Sequence, residues 1–420
     1  MKRLALALLI GAALSPLVTR TAISCDEYYS DHGFSIDLPP GFEYIEGDGS
    51  TKFSFGSPDG QVRVDILAYP QDRFTDAKSG ALDTTRRLSG RGNFHQFEYD
   101  SLEAAFGELS FGDGQSALKG YGLFINDART PDEGSPYDLA VLSYTLLENF
   151  DALGDVVASA IDGFSPRFNH RAIPGPLGTA SRALLGPNWL QKGSIQFGKA
   201  VLDVSWNPEE AAVSQNLVER EYRVLCAYAD TPLLVEEAMA RFYRMVFRDA
   251  APSLDRLALQ MSAAWETGAW AGLTPASMLS TEGSVSTATS AGPRFGAPAQ
   301  SREYASALLS WVQAFKYVRD PQGSDVVNSI SAAFEGRGDC DSRALVLAIL
   351  LRRENIESIL MISLKHEHAL AGIDAPGAGA RFPYGDKLWL VAETTARVGI
   401  GLIDAGQSDP AAWIGIAFPR

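Results

Sequence analysis

The sequence predicts an α+β chain of several domains, on three observations. Its 420 residues, 46% of them hydrophobic, are too many for one ordinary core. Strand-like runs alternate with three- and four-residue helical spacing along most of the length. A Ser/Thr/Gly/Ala/Pro tract at 268–301, almost without charge, then sets two strand-and-helix regions apart from a C-terminal one.

The chain opens with Lys2 and Arg3, then an apolar run at 4–18 that Thr19, Arg20 and Thr21 bring to an end. This is the pattern of a secretory signal at 1–24, too short for the roughly 20 apolar residues of a spanning helix. Export to the periplasm or cell envelope is expected. Residues 22–25 (AISC) resemble a loose bacterial lipobox, which implies a lipidated Cys25 and membrane attachment. The departures are Ala22 where Leu is usual and the nearby Arg20; ordinary cleavage between Ala13 and Cys25 is the alternative. A formal charge of −15 and a pI near 4.8 exclude a phosphate-tracking surface, so no nucleic-acid partner is expected.

Residues 26–166 read as one sandwich unit. Runs at 33–38 (GFSIDL), 61–67 (QVRVDIL) and 137–144 (YDLAVLSY) are strand-like, and Gly, Pro, Asp and Ser turns separate them. Phe150, Leu153, Val157, Ile161 and Phe164 then fall at helical spacing behind an Asn149 cap. The opening GFSIDLPPGF at 33–42 and the closing GFSP at 163–166 resemble the PsbP-like fold, a non-enzymatic module, and imply no site.

A second α+β unit is expected over 177–267. Its strands are placed at 201–205 and 222–228, and its helix at 231–247 with Leu234, Ala238, Phe242 and Val246 as the core stripe. Cys226, inside the second strand, reads as a buried, inert thiol. With only Cys25, Cys226 and Cys340 in the chain, a dense disulfide scaffold is excluded.

The chemistry lies in 302–420. A helix is expected at 304–317, then EGRGDCDSRA at 335–344 and the wholly apolar 345–351. Asp339 suits an N-cap, Arg352 and Arg353 suit the negative end of the helix dipole, and Asn355 suits a left-handed terminator. Cys340 therefore starts a buried helix, where unpaired amides favour the thiolate and Arg337 adds positive charge. Asp339 and Asp341 oppose this, so an imidazole partner is needed. Strands at 356–364, 366–373 and 388–395 follow; pairing the last two with Ile373 opposite Leu388 sets His368 opposite Glu393. His366 and His368 share a face that suits zinc, but no Cys or carboxylate cluster completes a ligand set, so no metal or other cofactor is assigned.

In order, WVQAFKY at 311–317, GDCD at 338–341, His368-Ala369, Trp389 and ETT at 393–395 resemble the transglutaminase-like superfamily, including bacterial transglutaminase-like cysteine peptidases. The likeness covers roughly 301–404. It implies a papain/transglutaminase-like domain in which a helix carrying Cys packs on an antiparallel sheet. Residue by residue, it implies Cys340 as nucleophile, His368 as general base and acid, and Glu393 at the position where most members have Asp. Gln313 and Trp311 are the implied oxyanion candidates beside the nucleophile's own amide. The expected activity is hydrolysis of peptide or protein amides in the envelope through a thioacyl intermediate. Two alternatives stand: a catalytically degenerate scaffold that binds or assembles envelope components, and a transglutaminase with an amine acceptor.

Overall fold

The computed structural model describes residues 27–70, 73–112, 116–128, 137–186, 189–272, 298–319 and 323–419. The leader and Cys25 lie outside these residues, as does most of the 268–301 tract. The protein is mixed α and β with four sheets, divided into two compact units. Among the described residues one unit takes 27–186 with 219–249, and the other 189–218 with 250–418.

The first unit is built on a seven-stranded antiparallel sheet. Its spatial order is Glu43–Gly47, Lys52–Gly56, Val62–Pro70, Tyr137–Leu146, Leu118–Ala128, Leu102–Phe111 and Arg91–Tyr99. Alternation along the central strands fills both faces: Leu139, Val141 and Ile125 enter one core with Ile161, while Ala140, Leu142 and Phe124 enter another with Ala77 and Ala81. Helix Phe150–Asp162 thus covers one face and helix Ala77–Arg87 the other. The cap expected of Asn149 is not made: its backbone is already helical and its side chain accepts no capping bond.

Helix Val235–Ala250 completes this unit in an unexpected way. Ala238, Phe242 and Val246 are buried as expected, but so are Arg241, Arg244 and Arg248. Arg244 grips the buried Asp37 carboxylate through Nε and Nη2, both at 2.9 Å, and Arg241 reaches the Asp37 carbonyl at 2.9–3.0 Å and Glu221 at 3.0 Å. Arg220 holds Asp162 at 2.6 Å. Burial alone would raise the Asp37 carboxyl, but Arg244, Arg241 and Arg248 hold it below its ordinary value.

The two compact units divide the stretch 177–267: residues 219–249 group with the N-terminal sheet, while 189–218 and 250–267 group with the C-terminal unit. The strand expected at 222–228 is corrected, because helix Pro208–Cys226 runs through it. Asn207 accepts from the Glu209 amide at 2.9 Å, and the acidic first turn complements the dipole. A helix propagating from that start overrides the local β-type composition at its end. Cys226 is accordingly a free, half-buried thiol in a helical last turn.

The C-terminal unit has a five-stranded antiparallel sheet in the order Arg381–Tyr384, Lys387–Ala392, His368–Ile373, Ser358–Ser363 and Ile414–Ala417. Helix Cys340–Arg353, buried from Cys340 to Leu351, packs against its two central strands. Ile359, Met361, Leu370, Val391 and Trp413 form a further core in this unit. Hairpin Gln191–Phe197/Ala200–Trp206 and helices Asp255–Glu266, Pro298–Val312 and Ser329–Glu335 belong to the same unit. The helix expected at 304–317 thus runs earlier, over Pro298–Val312, which takes up the last residues assigned to the linker. Among the described residues no helix is long and apolar enough to cross a membrane.

Removing the charge of Asp37 would leave Arg244 and Arg241 buried without an anion. Asp37→Asn is expected to lower unfolding free energy by about 3–5 kcal/mol, read from urea denaturation followed by far-UV circular dichroism.

Candidate active site

The turn before Cys340 is set by two glycines. Gly336, at φ 62°, ends helix Ser329–Glu335. Gly338 sits at φ 155°, where an added Cβ would lie 2.7 Å from the Ser342 Cβ. Between them Arg337 makes a parallel bridge to Lys316, with Lys316 N–H donating to the Gly336 carbonyl at 2.8 Å and Gly338 N–H to the Lys316 carbonyl at 3.0 Å. Asp339 then caps the helix as expected, accepting from the Ser342 amide at 2.9 Å and hydroxyl at 2.7 Å. Asn355 ends the segment at φ 59°, the left-handed conformation expected of it.

Cys340 is a free thiol, 1% exposed. Its Sγ lies 3.8 Å from Asp341 Oδ2. Burial, Asp341 and Asp339 push the thiol well above its ordinary value, outweighing the Ala369 amide and the Arg319 charge. The helix N-terminus therefore does not yield a resting thiolate here. Arg337 does not assist: it pairs with Glu335 at 2.6 Å. Burial raises Asp339 itself, against the bonds it accepts from Ser342.

The imidazole partner starts strand His368–Ile373, against which the helix of Cys340 packs. His368 Nε2 lies 2.7 Å from Glu393 Oε2, and Trp413 stands edge-on to the ring at 6.2 Å. With Nε2–H donated to the carboxylate, Nδ1 is the nitrogen that carries the lone pair. The pairing comes from a different register than expected. Ile373 faces Leu390, not Leu388, and the ladder closes at Ala371 with Ala392. A two-residue shift keeps every side chain on its face, so His368 and Glu393 meet as diagonal neighbours.

Glu393 is held from both ends. Oε1 accepts from the Thr395 amide and hydroxyl, each at 2.6 Å, and from the Ala396 amide at 3.3 Å, leaving Oε2 for His368. Burial raises this carboxyl, but the bonds from His368 and Thr395 prevail and bring it down to about 2. The extra methylene relative to Asp is accommodated by this turn.

Of the oxyanion candidates, Gln313 is excluded. Its Nε2 donates to the Glu393 carbonyl at 2.7 Å and the Val398 carbonyl at 2.9 Å, which uses both amide hydrogens to fix the loop behind the carboxylate. Trp311 is buried edge-on against Phe315 at 4.7 Å.

Two residues escaped sequence reasoning. Arg343, buried, donates to the carbonyls of Gly338 at 3.1 Å, Phe315 at 2.6 Å and Thr394 at 3.3 Å. A single cation inside an otherwise apolar helix was its only signal. Tyr317, about half exposed, lies over the Arg343 guanidinium at 5.5 Å and accepts from Arg319 Nε at 3.2 Å.

No family model matches the chain, and no curated protein matches it. Among solved structures, the chain is similar to PsbP (CyanoP) from Synechocystis sp. PCC 6803 at 12% identity and TM-score 0.27, over 36% of this chain and 98% of that one. It is similar to LpqN, involved in cell envelope biogenesis of Mycobacterium tuberculosis, at 13% identity and TM-score 0.23, over 31% of this chain and 79% of that one. A Mog1 variant is similar at 8% identity and TM-score 0.25, over 33% and 94%. With every TM-score below 0.3, these likenesses carry no part of the functional reading.

Glu393 binds its proton more weakly folded than unfolded, so its contribution to stability is full above the unfolded value and lost as pH falls from about 4.5 towards 2. Glu393→Gln is expected to cost about 2–3 kcal/mol at pH 7. The difference from wild type should shrink across that acid window in urea titrations, and a pH-independent difference would refute the assignment.

Proposed function

We propose that this chain is an exported cysteine hydrolase of transglutaminase-like type that cleaves peptide or protein amides in the cell envelope. The observation that carries the reading is the His368–Glu393 pair at 2.7 Å, with His368 opening a strand against which the helix begun by Cys340 packs. A base and an orienting carboxylate thus meet on the sheet that the nucleophile's helix covers.

The electrostatics favour proton transfer during attack over a resting thiolate–imidazolium pair. Burial and the two flanking aspartates keep the thiol protonated, so His368 takes the proton as sulfur closes on the carbonyl. Glu393, ionised from about pH 2 upward, then stabilises the imidazolium. His368 returns the proton to the leaving amine, and water resolves the thioacyl enzyme; an amine in place of water would give transfer.

The same thiol favours a second reading. A cysteine 1% exposed and raised by two carboxylates is also what a degenerate binding scaffold would keep. Turnover of a fluorogenic peptide and casein panel by the purified protein separates the two. Hydrolysis reduced at least about 10³-fold by both Cys340→Ala and His368→Ala is expected. No turnover above Cys340→Ala would leave the scaffold.

Export is proposed from Lys2, Arg3 and the apolar run at 4–18. Intact-mass spectrometry of protein from a membrane fraction is expected to show loss of the leader. A diacylglyceryl adduct on Cys25 identifies the anchor; an unmodified cleaved terminus leaves a freely diffusing envelope protein.

A further inference from the structure

With Gln313 committed to the loop behind Glu393, the site needs another donor for the charge that develops on an attacked carbonyl. Tyr317 is placed for it. The Lys316–Arg337 bridge sets Tyr317 alongside Gly338, two residues before the nucleophile. Its ring lies over the Arg343 guanidinium, which also bonds the Gly338 carbonyl, so ring and nucleophile turn are fixed by one cation. Arg319 Nε donates to the phenol oxygen at 3.2 Å, which polarises the O–H and leaves its hydrogen to be given elsewhere. Tyr317 is 49% exposed and so open to an incoming substrate.

We infer that the Tyr317 hydroxyl is an oxyanion donor, acting with the Cys340 backbone N–H on the carbonyl oxygen of the acyl substrate. This rests on the acyl-transfer reading above. As the S–C bond forms, the carbonyl π pair moves onto oxygen, where Tyr317 and the amide receive it, and the thiol proton passes to His368. When that pair re-forms the carbonyl, the bond to the leaving group breaks and His368 returns the proton to it. Tyr317 keeps its own proton throughout.

Two reactions of the same sulfur separate this role from a structural one. Acylation by p-nitrophenyl acetate passes through an oxyanion, whereas alkylation by iodoacetamide does not. Both rates are measured on the full mature protein, with Cys340→Ala as the background. In Tyr317→Phe, acylation is expected to fall about 10²-fold while alkylation stays within about twofold. Arg319→Gln should give a smaller loss of acylation alone. Wild-type acylation rates in Tyr317→Phe overturn the inference and leave the hydrolase reading standing. An equal fall in both reactions also overturns it, since Tyr317 would then act only on the thiol. If wild-type Cys340 is alkylated but never acylated, the hydrolase reading fails and the inference with it.

Discussion

The C-terminal unit depends on one buried cation. Arg343 emerges from the helix that Cys340 begins and donates to three backbone carbonyls, those of Phe315, Gly338 and Thr394. Each belongs to a segment carrying a candidate site residue: Tyr317, Cys340 and Glu393. A guanidinium has five donors in a rigid plane and keeps its charge at any pH a protein meets, so it can gather three loops where a lysine could grip one. Its charge also offsets Asp339 and Glu393, which no other buried cation of this helix answers. Cys340 alone would be an inert core thiol; it becomes a candidate nucleophile because Arg343 holds its neighbours in place.

What the sequence made legible follows the range of the forces involved. The strands around 61–67 and 137–144 and the helix after Asn149 are written in side-chain periodicity, which is local, and they appear as expected. So do the Asp339 cap and the Asn355 terminator, whose partners lie within a few residues. The run at 222–228 misled because its β-type residues finish a helix nucleated at Asn207, well outside any short window. The His368–Glu393 contact was found through a register wrong by two residues, since a shift of two preserves the face. Gln313 was misjudged because its partners, the carbonyls of 393 and 398, lie about 80 residues away in sequence and are backbone atoms. Arg343 and Tyr317 were missed for the same reason: a cation seeking carbonyls leaves no pattern in composition.

The thiol shows two pressures in opposition. The helix N-terminus and the Ala369 amide favour charge on sulfur, while burial and the Asp339–Asp341 pair disfavour it, and the latter prevail. A neutral resting thiol is less open to oxidation and adventitious alkylation than a thiolate. In the proposed mechanism it also places the demand for reactivity on His368.

The arginines of helix Val235–Ala250 have a consequence for how the chain must be made. Asp37 emerges early, yet the cations that neutralise it inside the fold, Arg241 and Arg244, are about 200 residues further on. During synthesis or translocation the N-terminal sheet therefore waits, with two acidic groups it cannot bury, until residue 249 has arrived. A fragment cut at residue 186, where the first sheet seems complete, would carry Asp37 and Asp162 without counter-charge. The unit is one module in space and two in time, and its last part to appear is the part that closes it.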